Sequence, residues 1–314
     1  MNHIILLATL ALLAHARTPL AISQIGAQQS DVLPKEKISI AFTAKVGGLP
    51  FSCHETYSDI GLSHSKVKMS DLRFYVSNVE LVSTSGEAVP LELDQDGIWQ
   101  YKNLALLDFE DGTGSCLNGN AGMHKEVTGS VAAGEYTGLR FTLGVPFELD
   151  HVDAASAPSP LNMTAMFWSW QSGYKFLRAE LTTADSSQKS EDGMSQNMTP
   201  DAKGKPRSHG FAMHLGSTGC ASESANADPN QECMHPNRPL IVFETFHATT
   251  DAVEFDLARL FQGVDVGPEP SGLGGGCMSF PSKDTCVPIM RALGLPFRGA
   301  APVDQVVFRR EVGQ

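Results

Sequence analysis

Short segments in which apolar and polar positions alternate dominate this chain. They predict β-strands over residues 37–44, 73–82, 105–109, 139–143, 164–170, 175–182 and 240–246, rich in β-branched and aromatic side chains. Turn-forming pairs fall between such segments: Ser85-Gly86, Asp96-Gly97, Asp111-Gly112 and Ala133-Gly134. Only two stretches carry a helical pattern, a short one at 256–261 and a longer one at 284–293, stopped by Gly294. Many strands with few helices predict an all-β fold, an antiparallel sandwich or barrel. Residues 183–207 crowd Ser, Gln, Lys, Asp, Gly and Pro without periodicity and read as a long surface loop. Residues 221–237 read as a second long loop, its ends pinned by Cys220 and Cys233. Strand patterns resume beyond both loops and no repeat is present, so a single β domain over 38–310 is expected.

The first residues stand apart. An apolar run from Ile4 to Leu13 ends in Ala14-His15-Ala16, the small-x-small pattern of a signal-peptidase site. Residues 1–16 therefore read as a signal peptide, with a cut near Ala27 as the alternative, although no Lys or Arg precedes the run. The run is shorter than the roughly 20 residues a membrane helix needs, so an exported protein without a membrane span is expected. The six cysteines, Cys53, Cys116, Cys220, Cys233, Cys277 and Cys286, fit export to an oxidising compartment. Of the fifteen pairings six cysteines allow, the simplest joins Cys53 to Cys116, Cys220 to Cys233 and Cys277 to Cys286. None of these spacings is C-x-x-C, which argues against a zinc ribbon and a c-type haem. The net charge of −12 and the lack of a basic stripe argue against nucleic acid.

Catalytic motifs are missing: there is no G-x-S-x-G elbow, and the glycines at 272–276 lack a strand-to-helix setting. Histidine, methionine and tryptophan say more. Trp168-Ser169-Trp170 sits in a β segment, which projects both indoles from one face. His209 and His214 bracket another predicted strand, His151 follows Gly144-Val145-Pro146-Phe147, and His54 adjoins Cys53. Neutral imidazole suits copper and zinc, and thioethers such as Met213 or Met278 suit Cu(I). Each has an ordinary reading as well. A strand histidine beside a disulfide is usually a hydrogen-bonded structural residue, and paired tryptophans usually pack.

Several segments taken in order shift this balance: Asp71-Leu72-Arg73-Phe74-Tyr75-Val76, Leu107-Asp108-Phe109, Gly144-Val145-Pro146-Phe147, the run from Phe167 to Phe176, the run from His214 to Cys220, and Gly276-Cys277-Met278-Ser279. Together they resemble the methanobactin-associated MbnP-like proteins, the W-x-W members of a "metallo-mystery pair", over roughly residues 38–295. The resemblance implies a periplasmic copper-binding protein paired with a dihaem partner related to cytochrome c peroxidases. It further implies that the partner converts one tryptophan to kynurenine, whose amino nitrogen joins histidines around Cu(I). Carried over residue by residue, His151 and His214 are the expected ligands, and Trp168 is the residue expected to be modified. Relatives with a W-x-His motif have a histidine where this chain has Trp170, so the second histidine must come from elsewhere. The protein is then the substrate of an oxidation and not an enzyme. The alternative is a β-sandwich module that binds protein or glycan on an aromatic platform of Trp168, Trp170 and Tyr174.

Overall fold

A computed structural model describes residues 34–169, 171–183, 210–223, 227–267 and 275–313. The expected signal peptide, nearly all of the expected 183–207 loop, Trp170 and His209 lie outside the described residues. Residues 34–314 form one compact unit.

Two sheets stack as a sandwich that does not close into a barrel. The first sheet orders its strands Phe308–Val312, Asp251–Asp256, Lys35–Val46, Glu126–Ala132 and Glu92–Leu93. The second runs Leu240–Phe243, Tyr136–Leu143, Ser65–Ser83, Leu177–Thr183, Gly210–Leu215 and Gly275–Cys277, with Leu104–Asp108 also on the long 65–83 strand. Both are mixed sheets, which corrects the antiparallel expectation. Lys35–Val46 pairs in parallel with Asp251–Asp256, and Gly210–Leu215 pairs in parallel with Gly275–Cys277. The sequence distance between these partners leaves room for the crossovers that parallel pairing requires.

The core forms where alternation aims one face of each sheet at the other. On the 35–46 strand Ile40, Phe42, Ala44 and Val46 are buried between more exposed neighbours. Phe42 of the first sheet meets Phe74 and Phe141 of the second, with ring centroids 6.2 and 5.7 Å apart. Phe255 and Phe308 close the cluster against Phe74 at 5.1 and 5.7 Å. Each such pair adds about 0.5–1.5 kcal/mol beyond its buried area.

The 65–83 strand departs from simple alternation, because every residue from Asp71 to Ser77 is buried. Within this stretch the even positions Leu72, Phe74 and Val76 face the core, and Arg73 and Tyr75 face a covering segment, residues 145–176. Tyr75 donates from its hydroxyl to the Pro160 carbonyl at 3.0 Å, and its ring meets Tyr174 edge-on. This covered outer face of the second sheet carries the candidate site.

Among the described residues three α-helices are present where two helical stretches were expected. Leu257–Phe261 and Cys286–Ala292 fall inside the predicted spans, the first capped by the Asp256 side chain accepting from Ala258 N–H. The third, Phe147–Asp150, is a single turn after Pro146. Among the described residues no helix is long and apolar enough to cross a membrane. The three disulfides join Cys53 to Cys116, Cys220 to Cys233 and Cys277 to Cys286, as the spacing suggested, and none of the cysteines is free.

Candidate metal centre

His214 sits on the last full strand before the sheet edge. Phe211, Met213 and Leu215 of that strand turn to the core, so His214 faces outward beneath the covering segment. Across the sheet it stands opposite Arg178, which stands opposite Arg73, which stands opposite Asp108. In the next row Asp71 faces Glu180. Charges of opposite sign thus interleave on a buried face. Asp71 accepts from Arg73 and lies 3.1 Å from Arg178 Nε. Arg178 Nε is 2.7 Å from Glu180 Oε1, and Glu180 Oε1 is 2.7 Å from His214 Nε2.

This network sets the protonation of His214. Burial, the largest influence, pushes its imidazole below the ordinary range, against the pull of Glu180. Burial alone would raise the Glu180 carboxyl, but hydrogen bonds from His214 and Arg178 outweigh it and bring it to about 2. A neutral His214 beside an ionised Glu180 donates from Nε2, which leaves Nδ1 with its lone pair. A carboxylate that fixes the tautomer and raises the basicity of the other nitrogen is the usual companion of a metal-binding histidine.

Trp168 lies beside this histidine, with ring centroids 6.3 Å apart. The indole comes from the two-stranded hairpin of Phe167–Ser169 and Gly173–Tyr174. The predicted strand over 164–170 is shorter than expected, because Thr164–Met166 winds into a 3-10 turn. Gly216 makes the indole's position accessible. A Cβ there would sit 2.5 Å from Trp168 Cζ3 and 2.8 Å from the Tyr174 carbonyl oxygen, so the His-Leu-Gly segment needs its glycine for this contact.

His151 meets other partners, and its neighbour Asp150 lies against Gly173 and Tyr174 of the same hairpin. It is buried at the end of the Phe147–Asp150 turn, with the Phe147 ring edge-on at 5.5 Å. Its Nε2 is 3.5 Å from Asp150 Oδ2 and 3.6 Å from Cys233 Sγ. Asp150 Oδ1 accepts from Tyr174 N–H at 2.8 Å, and Gly173, at φ +69°, allows that approach. Burial pushes the Asp150 carboxyl up to about 7 despite that hydrogen bond. Cross-strand neighbours of one hairpin thus touch the surroundings of both expected histidines: Trp168 lies on Gly216 next to His214, and Gly173 and Tyr174 lie on Asp150 next to His151.

The other sequence candidates lie apart from this centre. His54 is exposed and bonds Thr113 Oγ1 at 2.9 Å. Trp99, the remaining tryptophan and outside any motif, stacks flat on His124 at 5.3 Å. Met213 is buried in the core. Tyr174 is fully buried, its hydroxyl donating to the Leu161 carbonyl at 2.6 Å, so it cannot belong to an exposed aromatic platform. Sequence reasoning missed Glu180, Arg178 and Asp150. The signal for the first two was present in the alternating polar positions of Leu177–Thr183, but nothing in one strand's pattern names the strand across from it.

The fold defines the class of protein: a disulfide-stapled, mixed-sheet β-sandwich whose covered outer face carries a tryptophan beside a carboxylate-held histidine. The chain belongs to the MbnP family, whose model matches residues 35–279. It is similar to a solved structure of MbnP from Methylosinus trichosporium, with 27% sequence identity, a TM-score of 0.72, and coverage of 89% of this chain and 99% of that one. No curated protein matches the chain.

Proposed function

We propose that this protein is an exported copper-binding protein whose site is completed when a separate dihaem enzyme converts Trp168 to kynurenine. The observation that carries this reading is the half-buried Trp168–His214 pair, with His214 held by Glu180. Opening the indole exposes an aniline-type nitrogen next to the free Nδ1 of His214. Nitrogen donors of this kind suit Cu(I) better than hard cations. His214 and the modified Trp168 would hold the ion, with His151 as the further nitrogen donor that family membership suggests. Bound copper would supply a soft, redox-capable centre; the chain's own part is to keep His214 neutral, aim it through Glu180 and seat the indole on Gly216. The protein is the substrate of the modification and has no catalytic role in it. Three disulfides fit an oxidising compartment, and the periplasm is the one the family reading implies.

Competition with a chromophoric chelator tests the ligand assignment. His214→Ala should weaken Cu(I) binding at least tenfold, whereas His64→Ala, an exposed position, should leave it unchanged. Equal affinities for both variants would reject the site.

A further inference from the structure

The described residues contain one group of three side chains whose donor atoms all lie within 4.8 Å of one another: His151, Cys220 and Cys233. As long as Cys220 and Cys233 are joined, their sulfurs pin the 220–233 loop and do not ligate. We propose that reductive opening of this disulfide creates a four-ligand site for a thiophilic divalent cation such as zinc, formed by two thiolates, His151 Nε2 and Asp150 Oδ2.

Two observations carry this. The first is spacing. Tetrahedral zinc with about 2.3 Å bonds to sulfur and about 2.0–2.1 Å bonds to nitrogen and oxygen places its nitrogen about 3.5 Å from sulfur and about 3.4 Å from oxygen. His151 Nε2 already stands 3.6 Å from Cys233 Sγ and 3.5 Å from Asp150 Oδ2. Two edges of the tetrahedron are therefore in place, and the sulfurs need only swing apart to about 3.8 Å. The second is an orphaned atom. Asp150 is fully buried, and its Oδ2 has no hydrogen-bond partner, although Oδ1 is held by Tyr174 N–H. A buried carboxylate oxygen without a donor is costly unless something else satisfies it, and this one points at the His151 nitrogen.

The chemistry balances. A dithiol donor attacks one sulfur, passes through a mixed disulfide and leaves as its own cyclic or protein disulfide, so the Cys220–Cys233 bond gains two electrons and two protons. Binding of the divalent cation then releases those two protons from the thiols. The reductant is by class a small dithiol or a dithiol protein. The proposal shares His151 with the copper reading but needs neither copper nor a modified Trp168, so it is tested on copper-free chain that has never met the haem partner.

The full-length protein is reduced with limiting dithiothreitol, desalted without air and exposed to zinc(II). Bound zinc is counted, and free thiols are labelled with iodoacetamide and located by peptide mass spectrometry. One zinc per chain is expected, with Cys220 and Cys233 shielded from labelling and any other reduced cysteine labelled. The oxidised protein should retain none, and His151→Gln should bind at least tenfold more weakly. The proposal is overturned if reduced chain holds no more zinc than oxidised chain or if shielding falls on other cysteines. It is equally overturned if His151→Gln binds as tightly as the parent, or if reduction in the presence of zinc unfolds the chain by circular dichroism. Should His151→Gln itself fail to fold, the shielding map of the parent chain decides alone.

Discussion

Gly216→Ala is the sharpest perturbation of the candidate site, because it adds one methyl group where two elements meet. That methyl would lie 2.5 Å from Trp168 Cζ3 and 2.8 Å from the Tyr174 carbonyl oxygen. Carbon atoms rest about 3.5–4.0 Å apart, so the indole must retreat by about 1 Å. The carbonyl side cannot give way easily, since Tyr174 N–H is held by Asp150 and its ring is buried. Overpacking of this kind costs about 1–3 kcal/mol, which for a domain of this size lowers the melting temperature by about 3–10 °C. Scanning calorimetry reads the loss, and near-ultraviolet circular dichroism reads the displaced indole. Gly134→Ala is the control, because its methyl would first meet Tyr136 Oη at 3.4 Å, an ordinary contact. A Gly216→Ala protein that melts within about 1 °C of the parent, with an unchanged aromatic spectrum, would refute the packing argument.

Three further outcomes follow from the buried charges and the disulfides. Glu180 is depressed from 4.5 to about 2, so it contributes stability that is complete above pH 4.5 and lost as the pH falls toward 2. That contribution is at most about 3 kcal/mol, and Glu180→Gln should flatten the acid limb of the urea-midpoint curve between about pH 5 and 2; an unaltered limb would contradict the assignment. Arg73 is buried among Asp71, Asp108 and Glu110 and pairs with Asp71, so Arg73→Met should cost about 3–5 kcal/mol in urea unfolding, and a loss below about 1 kcal/mol would show that the Arg73–Asp71 pair does not hold this buried face together. Thiol titration of denatured, unreduced protein should find no free thiol, and Cys53→Ser with Cys116→Ser, which opens a loop spanning 63 residues, should cost about 4 kcal/mol.

What could be read from the sequence followed the physics of each signal. The alternation in Lys35–Val46 marks a strand because one face is buried against the other sheet, whereas Ser65–Ser83 is readable from its aromatic and β-branched residues although both faces of its centre are covered. The strand Glu126–Ala132 escaped notice because Gly129 interrupts its apolar face; the glycine is there because a Cβ would meet the Glu92 carbonyl oxygen at 2.6 Å. Asp251–Asp256 was hidden by the helix that begins directly after it. Parallel pairing left no local trace, since nothing in Lys35–Val46 announces a partner more than two hundred residues away. At the site, Trp168 and His214 were legible from motifs, but the row that joins them to Glu180, Arg178 and Asp71 depends on cross-strand register, which single-strand patterns do not encode. The Asp108 carboxyl illustrates the same limit: it sits within a readable Leu-Asp-Phe motif, yet burial pushes it up to about 8 against the pull of Arg73, a neighbour on another strand.

The central claim is that Trp168 becomes a copper ligand beside His214, and peptide mapping with metal analysis tests it most directly. Chain co-expressed with its dihaem partner is compared with chain expressed alone, and each is loaded with Cu(I). The account predicts the mass gain of tryptophan-to-kynurenine conversion on the peptide containing Trp168, with fragment ions assigning it to that residue, and one tightly held copper only in the modified protein. A gain placed on Trp99 or Trp170, or equal copper in modified and unmodified chain, would contradict it.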